Sequence, residues 1–135
     1  MDVYTEQQRA FLGEHRWGIL ATGRADGSPQ QAMVGYSLDD EGRVLVLTQT
    51  FTAKWRNVLR HSRVCLAVCD DRVHVVVYGA AETIEADPER AELSAEVLAA
   101  VRGSERPDPA SIVGWLDENQ RAVLRITPHK VLFHD

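Results

Sequence analysis

Cysteine is nearly absent from this 135-residue chain, which has only Cys65 and Cys69. They sit four apart in a Val/Leu/Ala run. On a strand that spacing puts both on one face, too far apart for good disulfide geometry. They are expected to be buried, reduced core residues, as suits a cytoplasmic protein. A basic excess is also absent: 15 Lys and Arg stand against 20 Asp and Glu, for a net charge of −5. That balance argues against a dedicated nucleic-acid binder, which needs cations to neutralise phosphates. No apolar run approaches the ~20 residues that span a bilayer, and the polar, acidic start Met1-Asp2-Val3-Tyr4-Thr5-Glu6 does not read as a secretory signal.

The chemistry-bearing motifs are missing too. There is no G-x-S-x-G, no G-x-x-x-x-G-K-[ST] and no G-x-G-x-x-G. His15, His61, His74, His129 and His134 do not pair at metal-ligand spacing, so no metal site is expected. Nothing resembles a nucleophile beside a base, and no catalytic residue can be named. If the chain is an enzyme, a cofactor carries the chemistry and the protein orients it.

What is present reads as one globular domain over residues 1–135, with 44% hydrophobic and 26% charged residues. Thr5-Glu6-Gln7-Gln8 resembles a capping box opening a helix to about Glu14, with Ala10 and Phe11 inward. Strands are expected over 17–22, 30–38, 43–48, 63–69, 74–86 and 122–133. Asp26-Gly27 forms the first turn, and Pro128 marks a bend or bulge. Short helices are expected from Thr52 to Arg60 with Trp55, Val58 and Leu59 inward, and from Asp87-Pro88 to about Val101 with Leu93, Val97 and Val101 inward. Another should start at Asp108-Pro109 and carry Ile112, Trp115 and Leu116. Strands joined by short turns, with few helices between them, imply a mainly β chain, an antiparallel sheet closed into a barrel.

One segment stands out. From Thr48 to Arg63 the chain carries Lys54, Arg56, Arg60 and Arg63 and no acidic residue. Threonines 48, 50 and 52 precede or start a short helix, whose N-terminal N–H groups suit a phosphate or another anion. Lys54 lies in the first turn and Asn57 one turn on. The same pattern also fits an ordinary solvated basic helix. Trp17, Trp55 and Trp115 read as core or interface anchors rather than ligand-stacking residues.

Trp17-Gly18-Ile19-Leu20-Ala21-Thr22 followed by Asp26-Gly27-Ser28-Pro29-Gln30, then Ala53-Lys54-Trp55-Arg56-Asn57-Val58-Leu59-Arg60, and more weakly Gly79-Ala80-Ala81-Glu82, resemble the pyridoxamine 5'-phosphate oxidase-like, flavin-reductase-like split-barrel superfamily. Within it the chain is most similar to the small F420-dependent oxidoreductases. The resemblance implies a split β-barrel with coenzyme F420 in a cleft between the protomers of a homodimer, and hydride transfer to a small conjugated substrate. It implies phosphate contacts from Thr48, Thr50, Lys54 and Asn57, with Gln49 beside them. The ring system would rest near Gln30, Gln31 and Met33, and His74 would reach across from the partner chain. Two departures matter. Arg43-Val44-Leu45-Val46-Leu47 ends in Thr48 where true pyridoxamine phosphate oxidases have lysine, and their C-terminal arginine-rich signature is missing. Vitamin B6 oxidation is therefore not expected. An FMN-binding oxidase or reductase and a non-catalytic flavin or deazaflavin carrier are the alternatives.

Overall fold

The computed structural model describes residues 3–134. Met1 and Asp2 of the polar N-terminal stretch lie outside the described residues, as does Asp135. The elements in chain order are α1 (Glu6–Glu14), β1 (Trp17–Gly23), β2 (Pro29–Leu38), β3 (Val44–Gln49) and α2 (Ala53–Arg60). There follow β4 (Arg63–Asp70), β5 (Val73–Ile84), α3 (Glu89–Arg102), α4 (Pro109–Glu118) and β6 (Arg121–His134). The six strands close an antiparallel barrel in the order β1-β2-β3-β6-β5-β4.

Alternation fills the barrel. Val64, Leu66 and Val68 of β4 point inward with Leu20, Val34, Tyr36, Val77 and Leu124, and Trp55 and Val58 of α2 pack against this core. β3 is apolar on both faces because its outer side is also covered. Leu45 joins Ile84, Val97 and Val123 in a second cluster under α3.

Several expectations are corrected. Cys65 and Cys69 do share a face, but it is the outer one: Cys65 is half-buried and Cys69 exposed. Their neighbours Val64, Leu66 and Val68 took the interior because β-branched and leucine side chains fill a barrel better. The capping box of α1 is present, with Thr5 accepting from the Gln8 N–H and Gln8 accepting from the Thr5 N–H. The inward residue of that helix is Leu12, however, while Ala10 is exposed. In α2, Leu59 is 63% exposed and Asn57 is buried in its place. α3 begins at Glu89, and Asp87 accepts from the Ala91 N–H (3.0 Å). Its small residues Ala91, Ser94 and Ala95 join Val97 and Leu98 on the buried face, with Leu93 and Val101 at its margin. Pro128 sits at a bulge: Tyr78 pairs with Lys130 and Gly79 with Pro128, leaving His129 extra.

The ladders are unequal. β5 and β6 share a long register from His74↔His134 to Ile84↔Val123. β2 meets β3 only at Tyr36↔Val46, Ser37↔Leu45 and Leu38↔Val44. β1 meets β4 only at Ile19↔Ala67, Leu20↔Leu66 and Ala21↔Cys65.

His15 ties α1 to the β4–β5 turn. Its ring bonds the Phe11 carbonyl (2.6 Å) and the Asp70 carboxylate (3.0 Å) while stacking on Phe11. With acceptors at both nitrogens the imidazolium is favoured, and the Phe11 carbonyl, followed by Asp70, raises its pKa above the ordinary histidine range. A raised histidine pKa gives stability that is complete below the unfolded value and lost as pH rises through the folded one. Urea denaturation midpoints should therefore fall from about pH 6.5 upward through the folded pKa. His15→Gln should flatten that decline, and an unchanged slope in the variant would assign it to other groups.

Candidate functional site

Where the β2–β3 ladder stops, the barrel splits. Continued in register, it would pair Gly35 with Leu47, Val34 with Thr48 and Met33 with Gln49, and none of these rungs forms. The strands diverge because each is held on its far side, β2 by β1 and β3 by β6. The backbone N–H and C=O groups that would have closed the rungs are left apart from one another. Those same six residues line a cleft of ≈ 340 Å³, together with Trp17, Lys54, Val97, Leu98, Val101, Arg102, Trp115 and Arg121.

α3 crosses the outer side of the split. Gly35 permits this approach: a Cβ there would lie 2.6 Å from Val101 Cγ2. Trp17, at 53% exposure, and Met33 stand at the mouth, and Trp115 of α4 flanks the other side. α4 is tied down by Arg90, whose guanidinium donates to Asp87 and Asp117 and to the Arg121 carbonyl.

The electrostatics are one-sided. The cleft is lined by Lys54, Arg102 and Arg121 and by no acidic side chain. Burial, followed by the nearby positive charge of Arg121, lowers the Lys54 pKa. The Arg121 guanidinium lies 5.4 Å from the Trp115 ring centroid, and its Nε is buried without a hydrogen-bond partner. Lys54 sits in the first turn of α2. The hydroxyl of Thr52, at the N-cap position, donates back to the Gln49 carbonyl (2.8 Å), so no side chain caps that helix start. Cations converging on free helix N–H groups and open strand edges can hold a flat, polar-edged ligand bearing a phosphate.

Of the residues expected from the sequence, the fold brings Met33, Thr48, Gln49 and Lys54 together in this cleft. Thr50 lines an adjoining hollow with Arg90, Asp117 and Arg121. Gln30 and Gln31 lie further toward the start of β2, where Gln30 accepts from Thr22 and donates to the Gln31 carbonyl. Asn57 is buried with both ends engaged: its amide donates to Thr22 (3.0 Å) and its carbonyl oxygen accepts from Arg60 (2.7 Å). His74 pairs with Cys69 and stacks on His134, at the far end of β6 from Arg121. That is roughly 40 Å of extended chain away.

The sequence reading missed Arg121, Arg102 and the α3 wall. It read Trp17 and Trp115 as core or interface anchors, and both line this cleft. The register of β3 against β6, which puts Arg121 opposite Gln49, was the signal it lacked.

Residues 4–135 match the family described as pyridoxamine 5'-phosphate oxidase. The fold is similar to that of a conserved hypothetical protein of Mycobacterium tuberculosis, with 26% identity over 99% of this chain and 87% of that one and a TM-score of 0.81. It is similar to an F420 reductase, with 23% identity over 96% and 98% and a TM-score of 0.73. A putative pyridoxamine 5'-phosphate oxidase of Listeria innocua aligns at 18% identity over 95% of both chains, with a TM-score of 0.70. No curated protein matches the chain. With its split antiparallel barrel and its match along nearly the whole sequence, the chain belongs to the pyridoxamine 5'-phosphate oxidase family, whose oxidoreductase-like members bind flavin or related cofactors.

Proposed function

We propose that the chain is an F420-dependent oxidoreductase acting on a small conjugated organic substrate. The observation that carries this reading is the split itself: two open strand edges beside an acid-free cluster of cations. Residues Met33–Gly35 and Leu47–Gln49 would take the polar edge of the ring system, and Lys54 with the α2 N-terminus would take the phosphate. Reduced F420 supplies a hydride, which together with a proton saturates one C=C or C=N bond of the substrate. The chain's part is to position and to exclude water, worth up to ~7–11 kcal/mol in favourable cases. The apolar face of α3 and the flanking tryptophans serve that purpose. No carboxylic acid lines the cleft, so the proton is drawn from solvent at its mouth.

The working form in this reading is a homodimer. Across the outer face of the barrel, Met33, Ile19, Ala67, Val76 and Leu132 stand side by side on five neighbouring strands. A second copy would cover this apolar row and bring its His74 toward the cofactor.

FMN is the second reading, favoured by Arg121 standing close to Lys54, because two cations suit a doubly charged phosphomonoester. Fluorescence titration decides between them. F420 is expected to bind more tightly than FMN and to weaken as salt rises, since its acidic tail meets the cations Arg56 and Arg60 of α2. Equal or tighter FMN binding would replace F420 with FMN in this proposal.

A further inference from the structure

Resting on the F420 reading, we infer that Arg121 is a carboxylate-binding residue for the substrate, and that the substrate is a flat, conjugated carboxylic acid. The bridging phosphate of F420 is a diester with a single negative charge, which Lys54 matches. Arg121 lies near enough to act on Lys54, and no acidic side chain lines the cleft. Although Asp117 and Glu85 line the adjoining hollow, Asp117 is engaged by Arg90 and no ion pair to Arg121 forms among the described residues. Two other largely buried arginines, one on α3 and one on β6, have carboxylates. Arg90 pairs with Asp87 and Asp117, and Arg125 with Glu82 and Glu89.

The guanidinium is also pre-set for a planar acid. It is stacked on Trp115 and its strand position is fixed by the Gln49 pairing, while the Arg121 carbonyl is held by Arg90. An oriented guanidinium fork takes a carboxylate through two parallel hydrogen bonds. Beyond it α3 presents Val97, Leu98 and Val101, with Arg102 at its end and Trp17 at the mouth. The approach of Val101 to Gly35 keeps that space narrow. A ligand anchored at Arg121 is thus flat and apolar away from its acid group.

Equilibrium dialysis with 2-naphthoate and its uncharged analogue 2-naphthamide tests this, with and without F420. The parent should hold the acid about tenfold more tightly than the amide. Arg121→Gln should erase that preference, leave amide binding unchanged and shift F420 affinity by less than about twofold, a difference under 0.4 kcal/mol in ordinary affinity arithmetic. Equal binding of acid and amide by the parent overturns the inference, as does a preference that survives Arg121→Gln. A loss of F420 affinity in Arg121→Gln as large as that in Lys54→Ala also overturns it, and assigns Arg121 to the cofactor phosphate. A parent that prefers the acid but does not bind F420 supports the carboxylate site and removes the cofactor reading instead.

Discussion

Lys54→Ala is expected to weaken cofactor binding ten- to a hundredfold. A charge-assisted ammonium–phosphate contact in a partly shielded cleft is worth ~1.5–3 kcal/mol, which converts to about that factor. Lys54 has the position for it, half-buried in the first turn of α2 and facing the open end of the β2–β3 seam. Its ammonium is kept there against both burial and the charge of Arg121. Removing it relieves that repulsion, so the cofactor-free protein should melt at the same temperature or slightly higher. Arg63→Ala is the control, because Arg63 lines a separate hollow with Ala21, Pro29 and Cys65. Its removal should change affinity much less. Fluorescence titration of the two variants reads the difference, and parental affinity in Lys54→Ala would mean that the phosphate lies elsewhere.

Gly79→Ala should be the most damaging small substitution in the barrel. A Cβ at this position would lie 2.5 Å from the Thr127 carbonyl oxygen and 2.8 Å from Ile126 Cγ2. The first is backbone and cannot swing aside. Gly79 also sits where the β5–β6 register shifts around His129, so the two strands approach closely as the sheet bends. Overpacking of this kind costs about 1–3 kcal/mol, and the upper end is expected here because backbone must move. For a chain of this size that is a fall of roughly 10 °C in Tm. Calorimetry within 2 °C of the parent would show that the bulge absorbs the methyl group, a tolerance on the order of half a kcal/mol.

Much of this architecture was legible in the residues. The period-two alternation of β4, the turn residues at 26–27 and the capping box at Thr5 are local signals, and the structure carries all three. Pro128 could be read as a bulge because proline cannot donate to a ladder. Burial was harder. Cys65 and Cys69 alternate with Val64, Leu66 and Val68, and only the barrel's closure says which set faces in. Leu59 and Asn57 exchanged their expected roles because α2 lies on the end of the barrel. There Asn57 meets Thr22 and Arg60, while Leu59 meets nothing large enough to cover it. The site divided along the same line. Lys54 and Thr48 announced themselves through local charge and hydroxyl clustering. Arg121 and Trp115 are more than sixty residues away in sequence and reach the cleft only through the β3–β6 register and the tether of α4 to Arg90.

The two short seams have a mechanical consequence. The β1–β2 hairpin is joined to the rest of the barrel by three rungs on each side, whereas β3, β6, β5 and β4 form one continuous, long-laddered sheet. Stiffness in a sheet scales with the number of cross-strand bonds resisting shear, so the hairpin is the compliant member and the four-strand sheet the rigid frame. The cleft lies along one of the compliant joints, with Met33 and Gly35 on the yielding side and Thr48 and Arg121 on the fixed one, while α2 with Lys54 is bonded to the hairpin through Asn57 and Arg60. Arg121 is therefore mounted on the stiff frame, and any strain across the cleft falls on the three-rung seams rather than on its anchor.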